Sequence, residues 1–485
     1  MIGITAYGGY IPKLRLTRAA IAGAHSWADP GAAGKAKGAR SMCNWDEDAI
    51  TMGVEAVRDC LNSNDLGAHP DVVYFASNTL PFKDRQNAGV ITTALSLDED
   101  VAVLDVTASQ RVATSALLQA LAAVNGESYA DAMVIASDHR RSKAASPQES
   151  NNGDGSAAIR IGQENLLLEF MGGHSRTVDF VDHFRGEHEE FDYNWEERWI
   201  RDEGYQTIVP PVIAKALQKS DLAAADIDHF VMPSTIGRAV QNIAKSAGIS
   251  ADAIRNNLHM ECGETGAAHP LVMLLHLLEG DVSPGERIML VGFGQGCDVL
   301  LFKATDKLAD FKVRKGVRGC LEDKRDEDNY QKFLSFNELL VQEKGMRAER
   351  DNKTALTVLY RKRDMILGLV GGKCEQCGTA QFPRQDICVN PQCHASHSQQ
   401  PYSFVEETAR IQSWSADYLT YTKDPPSHYG MIVFDNGGRL MTNFTDVSVG
   451  EVEVGMPVRM VFRIKEFDQR RGFIRYFWKA IPVVN

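Results

Sequence analysis

Residues 103–121, VLDVTASQRVATSALLQAL, predict a β-branched strand, a turn of small residues and an apolar helix in direct succession. Gln110 and Arg111 lie at the junction, where the helix begins. The free amides and the dipole at the start of a helix favour negative charge, so this position suits an anionic ligand or a developing oxyanion. The glutamine therefore occupies a place where many folds put a reactive group.

The sequence around this stretch alternates strand-like and helical patterns over residues 1–305. Apolar runs such as DVVYFASNT and ERIMLVGFG are separated by helical segments such as EDAITMGVEAVRDCL. Alternation of this kind predicts a layered α/β fold.

The same region contains an internal repeat. Residues 71–88 resemble residues 227–244, and the junction at Gln110 has a counterpart at Glu264 in HMECGETGAAHPLVMLL. A third pair, DAMVIASD ending in GDGSAAIRIG against ERIMLVGFGQGCDVLLF, follows in the same order, as a duplicated α/β unit predicts. Duplication places the two helix starts in equivalent positions near a pseudo-twofold axis, where they can form one catalytic pocket.

Composition narrows the functional classes. Hydrophobic residues make up 44% and charged residues 24% of the 485 residues, and no run approaches the roughly 18 apolar residues of a membrane span. The opening residues do not resemble a secretory signal, so we expect a cytoplasmic protein. The net charge of -12 argues against nucleic-acid binding, and an anionic ligand would have to be met by local positive groups.

Four of the nine cysteines fall within twenty residues, as C-x2-C and C-x4-C pairs. Two close thiolate pairs can complete a tetrahedron around zinc, and a closed four-ligand site is structural. Four ordinary buried thiols would not explain the paired spacing, and His394 beside the last pair is expected to be a bystander. The predicted zinc ligands are Cys374, Cys377, Cys388 and Cys393.

A charged stretch after residue 305 predicts a solvated helical connector, and the Gly-punctuated strands after the cysteines predict a small β-barrel. The predicted domains are an N-terminal α/β half (1–165), a second α/β half (166–305), a connector (306–350), a zinc ribbon (351–400) and a β-barrel (401–485).

These motifs resemble known families. The body resembles the thiolase superfamily, in the branch of 3-hydroxy-3-methylglutaryl-CoA synthase and ketoacyl synthase III, through NWDEDAITMGVEAVRD, LDVTASQRVATSAL, NNGDGSAAIRIG and CGETGAAHPLVMLL. GGKCEQCGTAQFPR and MPVRMVFRI are similar to an acyl-CoA-associated rubredoxin-like zinc ribbon plus OB-fold. The resemblance implies a duplicated αβαβα body, an acyl-CoA thioester as substrate and a homodimer or higher homo-oligomer.

The resemblance breaks at the reactive positions. The superfamily's nucleophilic cysteine falls on Gln110, which cannot form an acyl-thioester enzyme. The synthase's glutamate falls on Asn78, and the asparagine of its second-half turn falls on Glu264. Its histidine falls on Val231 or Ser234, depending on the gap.

Three functions remain open. The favoured one is a retro-aldolase on a β-hydroxyacyl-CoA, in which Glu264 in an apolar site acts as base while Gln110 and Asn78, with backbone N–H groups, hold the enolate oxygen. The second is a synthase- or thiolase-type acyltransferase that uses another thiol, Cys262 or Cys297. The third is a noncatalytic acyl-CoA-binding protein.

Several further residues are candidates. His269 can face the pocket or be a hydrogen-bonded structural histidine, and Arg111 and Arg238 can meet the coenzyme A phosphates. The acidic and aromatic residues at 182–205 predict a solvated flap in preference to an acyl pocket.

Overall fold

The computed structural model describes residues 1–61, 69–280, 282–349, 353 and 355–483. These form two compact units. Unit 1 comprises Met1–Cys43, Asp48–Ala88 and Glu99–Leu339, and unit 2 comprises Asn44–Glu47, Gly89–Asp98 and Leu340–Asn485. The predicted boundary between connector and ribbon, at 350/351, and the last two residues of the predicted barrel lie outside the described residues.

Unit 1 is built on strands that follow one another along the chain. These are β1 (Gly3–Tyr10), β2 (Leu14–Thr17), β3 (Ala39–Met42), β4 (Val72–Ala76), β5 (Ala102–Val106), β6 (Ala132–His139), β7 (Asp154–Gly162), β8 (Leu168–Thr177), β9 (His183–Phe184), β10 (Tyr193–Asn194), β11 (His229–Val231), β12 (Arg287–Phe293), β13 (Gly296–Ala304) and β14 (Arg325–Glu327).

The α-helices of the described residues are α1 (Arg18–His25), α2 (Ala49–Leu61), α3 (Asn87–Ala94), α4 (Val112–Asn125), α5 (Pro147–Asn151), α6 (Glu197–Trp199), α7 (Gln206–Lys219), α8 (Ala239–Ala247), α9 (His269–Leu278), α10 (Gly316–Glu322), α11 (Tyr330–Phe336), α12 (Leu356–Arg361) and α13 (Arg363–Ile366). Shorter 3-10 turns occupy Pro30–Lys35, Ala224–Asp226, Ala251–Ala253, Gly266–Ala268, Asp306–Asp310 and Met346–Ala348, and Ile200–Tyr205 is a π-helical turn.

Nine strands of unit 1 form one mixed sheet in the order β11-β12-β13-β8-β1-β7-β6-β4-β5. In the first half β1 and β6 pair antiparallel with β7, and β4 pairs parallel with β6 and β5. In the second half β8 and β12 pair antiparallel with β13, and β11 pairs parallel with β12 and, through Phe230, with Ile254. The repeated pairing order is that of a duplicated α/β unit, so the predicted fold class is confirmed.

The core of unit 1 contains the two helices that follow the duplicated junctions. Helix α4 buries Ala113, Ala116 and Leu117, and helix α9 buries every residue from His269 to Leu275. Both helices contribute to one apolar cluster with β6 and β7, whose runs are apolar because both sheet faces are covered. Burial on all sides explains why these helices lack a polar face.

The segment predicted as a solvated connector differs in its first part. Helices α10 and α11 bury Val317, Cys320 and Phe333, and β14 pairs parallel with β2. These apolar positions give residues up to 339 a place within unit 1. The charged pattern of the text hides them because they are spaced among exposed acidic and basic residues.

Unit 2 contains two small sheets. Strands β15 (Val370–Cys374), β16 (Ala380–Gln381) and β17 (Gln399–Ser403) form the first, and β18 (Ala409–Asp417), β19 (Ser427–Phe434), β20 (Arg439–Asn443), β21 (Pro457–Asp468) and β22 (Phe473–Pro482) form the second. The five-stranded sheet has the order β20-β19-β18-β21-β22, and a bridge between Phe444 and Ala480 links its two ends. This is the predicted small barrel. Each helix in the described parts of the chain is too short or too polar to span a bilayer.

Candidate functional site

The strand-to-helix junction at Gln110 is a tight turn. Ala108 has a φ of 79°, a left-handed conformation that is unusual for a residue with a side chain. Gly294 approaches from the loop between β12 and β13, and a Cβ on it would lie only 3.0 Å from the Gln110 Cβ. The Ser109 hydroxyl donates to the Gly294 carbonyl at 2.9 Å. The turn therefore holds Gln110 in a fixed place between the two halves.

The structure brings the two equivalent junction residues together. The Gln110 Nε2 donates to both carboxylate oxygens of Glu264, at 3.2 and 3.4 Å. At its other end the Gln110 Oε1 accepts from Arg140 Nη1 at 2.9 Å, and the same Nη1 lies 4.0 Å from Glu264 Oε2. The Gln110 carboxamide is thus held at both ends, and Glu264 has polar and cationic neighbours instead of the apolar ones expected.

Arg140 is nearly buried and pairs with Asp192. Its Nε and Nη2 both donate to Asp192 Oδ2, at 3.1 and 2.6 Å. Asp192 Oδ1 accepts from Arg185 Nη1 at 3.0 Å. Burial alone would raise the pKa of the Asp192 carboxyl, but Arg140, Arg185 and His183 together lower it below its ordinary value. Asp192 is therefore an anion between two guanidinium groups.

Asn78 does not present its amide to the Gln110 cluster as expected. Its Nδ2 donates to the Ser109 carbonyl at 2.9 Å, and its Oδ1 accepts from the Ala108 amide at 3.1 Å. Both contacts stabilise the strained turn. Asn78 therefore positions the junction, and Arg140 takes the place we gave it beside Gln110.

The start of the second buried helix is already occupied by an internal anion. Asp138, fully buried at the end of β6, accepts from the Ala267 amide at 2.7 Å. Its other oxygen accepts from Ser77 Oγ, the Asn78 amide and Thr79 Oγ1, at 2.8–3.0 Å. Gly266, at a φ of 65°, makes room because a Cβ there would lie 2.4 Å from Asp138 Oδ2. These second-half amides are consequently not available to an enolate, contrary to our expectation.

Arg111 is a structural residue, which corrects its predicted role at the coenzyme phosphates. Its Nη1 lies 2.5 Å from Asp298 Oδ1, and its Nε donates to the Gly294 carbonyl at 2.9 Å. Asp298 is fully buried and also accepts from Ser175, Thr114 and Ser115 hydroxyls. Removing a guanidinium from this pairing would leave a buried carboxylate uncompensated, so Arg111 cannot turn to a ligand at low cost.

His269 is also held by the backbone. Its Nε2 donates to the Asn257 carbonyl at 2.8 Å, and its Nδ1 accepts from the Thr265 amide at 3.1 Å. Burial lowers the pKa of His269 below its ordinary value. Both ring nitrogens are engaged, so the structural alternative that we left open is the one observed.

The two alternative thiols are inaccessible. Cys262 and Cys297 are fully buried, and burial raises the pKa of Cys262 to about 12 and that of Cys297 further. Cys297 packs in the apolar cluster beneath α7 and α8. A thiol of this kind is a weak nucleophile because only the thiolate attacks.

Two features near Arg140 face solvent. A cleft of about 230 Å³ is lined by Arg141, Lys143, Phe191 and Asp192, among others. The predicted flap is largely exposed, including Phe184, Tyr193 and Trp195, which agrees with a solvated segment. Arg238 is exposed and directly precedes α8, so it stays available for the coenzyme A phosphates.

The four predicted zinc ligands converge in unit 2. The Cys374 and Cys393 sulfurs lie 3.9 Å apart, the Cys377 and Cys388 sulfurs lie 3.5 Å apart, and all four lie within 4.8 Å of one another. A tetrahedron with Zn–S bonds of about 2.3 Å has edges of about 3.8 Å. The thiols therefore fit a structural zinc.

A second group with ligand-type atoms consists of Cys43, His139 and Asp154. The Arg40 guanidinium lies 3.8 Å from Asp154 Oδ1 and already supplies the positive charge there. The group is a buried ion pair, and we assign no metal to it.

Comparison with known proteins fits this geometry. Residues 217–300 match the family of 3-oxoacyl-[acyl-carrier-protein (ACP)] synthase III, C terminal. Residues 367–397 match the rubredoxin-like zinc ribbon domain of ChsH2, and residues 402–463 match its C-terminal OB-fold domain. The chain is a thiolase-like body of the hydroxymethylglutaryl-CoA synthase and ketoacyl synthase III type, followed by a ChsH2-type zinc ribbon and OB-fold.

Individual relatives point the same way. A hydroxymethylglutaryl-CoA synthase of Picrophilus torridus is 28% identical over 358 residues, which cover 70% of this chain and 98% of the relative. One from Methanococcus maripaludis is 26% identical, over 64% of this chain and 90% of the relative.

Solved structures share the fold. A crystal structure of HMG-CoA synthase complexed with CoA superposes with a TM-score of 0.59 at 16% identity, over 83% of this chain and 99% of that one. 3-Oxoacyl-(acyl carrier protein) synthase III from Pseudomonas aeruginosa PAO1 superposes with a TM-score of 0.55 at 18% identity, over 63% of this chain and 98% of that one.

Sequence reasoning missed Arg140 and Asp192. Arg140 directly follows β6, at the same end of the sheet as Asn78 after β4 and Gln110 after β5. Ligand sites of α/β sheets form beyond the carboxyl ends of strands, so a charged residue in SDHRR was a usable signal. Asp192 gave no such signal because it is one of many acidic residues in its segment.

Proposed function

We propose that the protein acts on acyl-CoA thioesters and makes or cleaves a carbon–carbon bond through a thioester enolate, without a cysteine acyl-enzyme. The favoured reaction is the retro-aldol cleavage of a β-hydroxyacyl-CoA. The observation that carries the proposal is the Gln110–Glu264 contact, in which an amide donor and a carboxylate meet where the two halves join. Cleavage needs such a pair and no nucleophile.

The proposed reaction assigns one role to each side chain. The Glu264 carboxylate accepts the proton of the β-hydroxyl group, the Cα–Cβ bond breaks, and its electron pair forms the thioester enolate while the Cβ oxygen becomes a carbonyl. The Gln110 amide and the Arg140 guanidinium donate hydrogen bonds to the enolate oxygen. The proton on Glu264 then returns to Cα, and the products are an aldehyde or ketone and a shorter acyl-CoA.

The coenzyme is expected to bind through positive groups around the solvent-open cleft. Arg141 and Lys143 line that cleft, and the exposed Arg238 precedes a helix. Phosphates are favoured at helix starts and beside arginine. These residues replace Arg111 as candidates for the phosphate contacts.

We also propose a homodimer and a structural zinc. Strand β5 is the outer strand of the nine-stranded sheet, and its Leu104 side chain is 45% exposed. An exposed apolar edge strand is a ready pairing surface for a second copy. The zinc proposal rests on the convergence of the four thiols and on the ribbon family match.

An acyltransferase of the synthase type is the second candidate, and it is favoured by the relatives that carry that name. It requires a nucleophile other than Gln110. The buried state of Cys262 and Cys297 weighs against both thiols. A noncatalytic acyl-CoA binder is the remaining alternative.

One assay separates the three functions. The full-length protein is incubated with matched β-hydroxyacyl-CoA and β-ketoacyl-CoA thioesters, with and without added coenzyme A, while carbonyl products and free thiol are measured. Carbonyl release from the hydroxy thioesters without release of thiol supports the aldolase. Cleavage of the keto thioesters only when coenzyme A is present would support an acyltransferase, and binding without turnover would support a binding protein.

A further inference from the structure

Asp192 has an unusual place in its segment. Residues 185–190, between β9 and β10, are exposed, as are Tyr193 and Trp195, yet the Asp192 side chain is only 6% exposed. It reaches past these residues to the Arg140 guanidinium, whose side chain is 8% exposed. A buried carboxylate on an exposed hairpin is costly unless its partners compensate it.

Two guanidinium groups converge on this one carboxylate. Arg140 gives two N–H donors to Oδ2, and Arg185 gives one to Oδ1. Arg185 is in turn held by the Asn78 carbonyl. If the hairpin moves away, three N–H donors on two cations are left around a space the size of a carboxylate, which is the arrangement that proteins use to bind carboxylates.

This space lies beside the Gln110–Glu264 pair. Arg140 Nη1 donates to Gln110 while its Nε and Nη2 face Asp192, so one guanidinium touches both. The solvent-open cleft ends on Asp192, which gives a ligand a route to that side chain. A group bound between Arg140 and Arg185 would therefore belong to the same ligand as a thioester held near Gln110.

We infer that the Arg140–Arg185 pair is a binding site for a free carboxylate on the acyl group, and that Asp192 is an internal occupant which the ligand's carboxylate displaces. The substrate class is then a coenzyme A thioester of a dicarboxylic acid or of a hydroxy derivative of one. The inference rests on the proposed acyl-CoA function and specifies its substrate. Exchange conserves the number of charge-assisted hydrogen bonds, because the ligand accepts the donors that Asp192 releases.

The test measures binding of CoA thioesters in pairs of equal carbon number by titration calorimetry with the full-length protein. The pairs are malonyl- with propionyl-CoA, succinyl- with butyryl-CoA, and glutaryl- with pentanoyl-CoA. Charge-assisted hydrogen bonds predict that, in at least one pair, the carboxylate form binds about 10-fold or more tightly.

Three variants connect this preference to the residues. Arg140→Gln should reduce the ratio of the two dissociation constants to about 1, since the charge and the fork are lost. Asp192→Asn should tighten the carboxylate form about 5-fold and leave the neutral form unchanged, because the competing anion is gone. Arg198→Gln, on an exposed arginine that pairs with Asp202, is the matched control and should change neither constant.

Opposite results are distinct. Equal affinities within all three pairs, or a preference that survives Arg140→Gln, would overturn the inference while detectable binding of butyryl-CoA left the acyl-CoA function standing. Failure of every thioester to bind would overturn both. Should Arg140→Gln not fold, Arg140→Lys and the more exposed Arg185→Gln test the same point, and each should at least halve the preference.

Discussion

The first and second halves of the duplicated sheet pair their strands alike but anchor their buried helices differently. Helix α4 of the first half is anchored through side chains, because Asp298 on β13 of the second half binds Arg111, Thr114 and Ser115. The turn before α9 of the second half is anchored through its backbone, because Asp138 on β6 of the first half accepts from the Ala267 amide. Each half thus supplies the aspartate that secures the other half's helix.

This difference explains why the site is asymmetric. In the second half, amides at the helix start are already bound to Asp138 and His269, so Glu264 offers its carboxylate alone. In the first half, the anchor lies below the turn, and Gln110 projects an amide that Arg140 orients. A duplicated frame therefore places an acceptor from one half against a donor from the other.

A reference for the size of the expected effects comes from unit 2, where one site determines local structure. Zinc bound to four thiolates contributes about 10–16 kcal/mol in small metal domains, so its loss should unfold the ribbon. We expect one zinc per chain by elemental analysis, and Cys374→Ser should abolish it and raise hydrogen exchange in β15–β17. His394→Asn, beside a ligand, should keep the zinc. A metal-free wild type with protected β15–β17 amides would contradict the assignment.

The crosswise anchors should differ in energy. Asp298→Ala leaves the buried Arg111 unpaired and should cost about 3–5 kcal/mol, whereas Asp138→Ala leaves neutral donors unsatisfied and should cost about 1–3 kcal/mol. Hydrogen-exchange mass spectrometry locates the damage. Asp298→Ala should loosen α4, and Asp138→Ala should loosen the start of α9. Asp310→Ala, on an exposed aspartate, is the control. Loosening confined to the mutated half would break the comparison.

The functional difference between Gln110 and Glu264 is tested by Glu264→Gln. The variant keeps the shape of the side chain but removes the proton acceptor, so turnover of a β-hydroxyacyl-CoA should fall about 100-fold or more. Thioester binding should change far less. Glu261→Gln, which alters an exposed glutamate of the same loop, should retain full turnover. Turnover preserved in Glu264→Gln would remove the proposed base.

The smallest effect concerns the equivalent strands β7 and β13. Asp298 of β13 pairs with an arginine, but Asp154 of β7 lies 3.2 Å from His139 Nδ1. Burial tends to lower the pKa of His139, yet Asp154 raises it above the ordinary value of 6.5. A raised folded-state pKa gives stability that is complete below pH 6.5 and lost as the pH rises through the folded-state pKa.

This prediction is measured as the urea midpoint between pH 5.5 and 8.5. The His139 contribution should be below about 1 kcal/mol. His139→Asn should flatten the decline above pH 6.5, and Asp298→Asn should leave the slope unchanged. An identical slope in wild type and His139→Asn would show that the pair does not titrate in this range.

The strand order, the duplication and the four thiols were predictable because each depends on a local pattern or a fixed spacing. The convergence of Gln110 and Glu264 followed from the duplication alone. The roles of Asn78, Arg111 and His269 were not predictable, because they depend on which buried partner is nearest. Arg111 and Arg140 are both arginines at strand or helix ends, and only the position of Asp298 and Asp192 distinguishes an anchor from a ligand-binding group.

The crosswise anchors have a consequence for the origin of the chain. A half expressed alone would bury a carboxylate whose donors lie on the missing half, so neither fragment, 1–165 or 166–339, should fold without the other. An ancestral single copy must have met this need by pairing with an identical copy. Fusion made the two aspartates free to diverge, and fragment complementation between the separated halves would recreate the ancestral dependence.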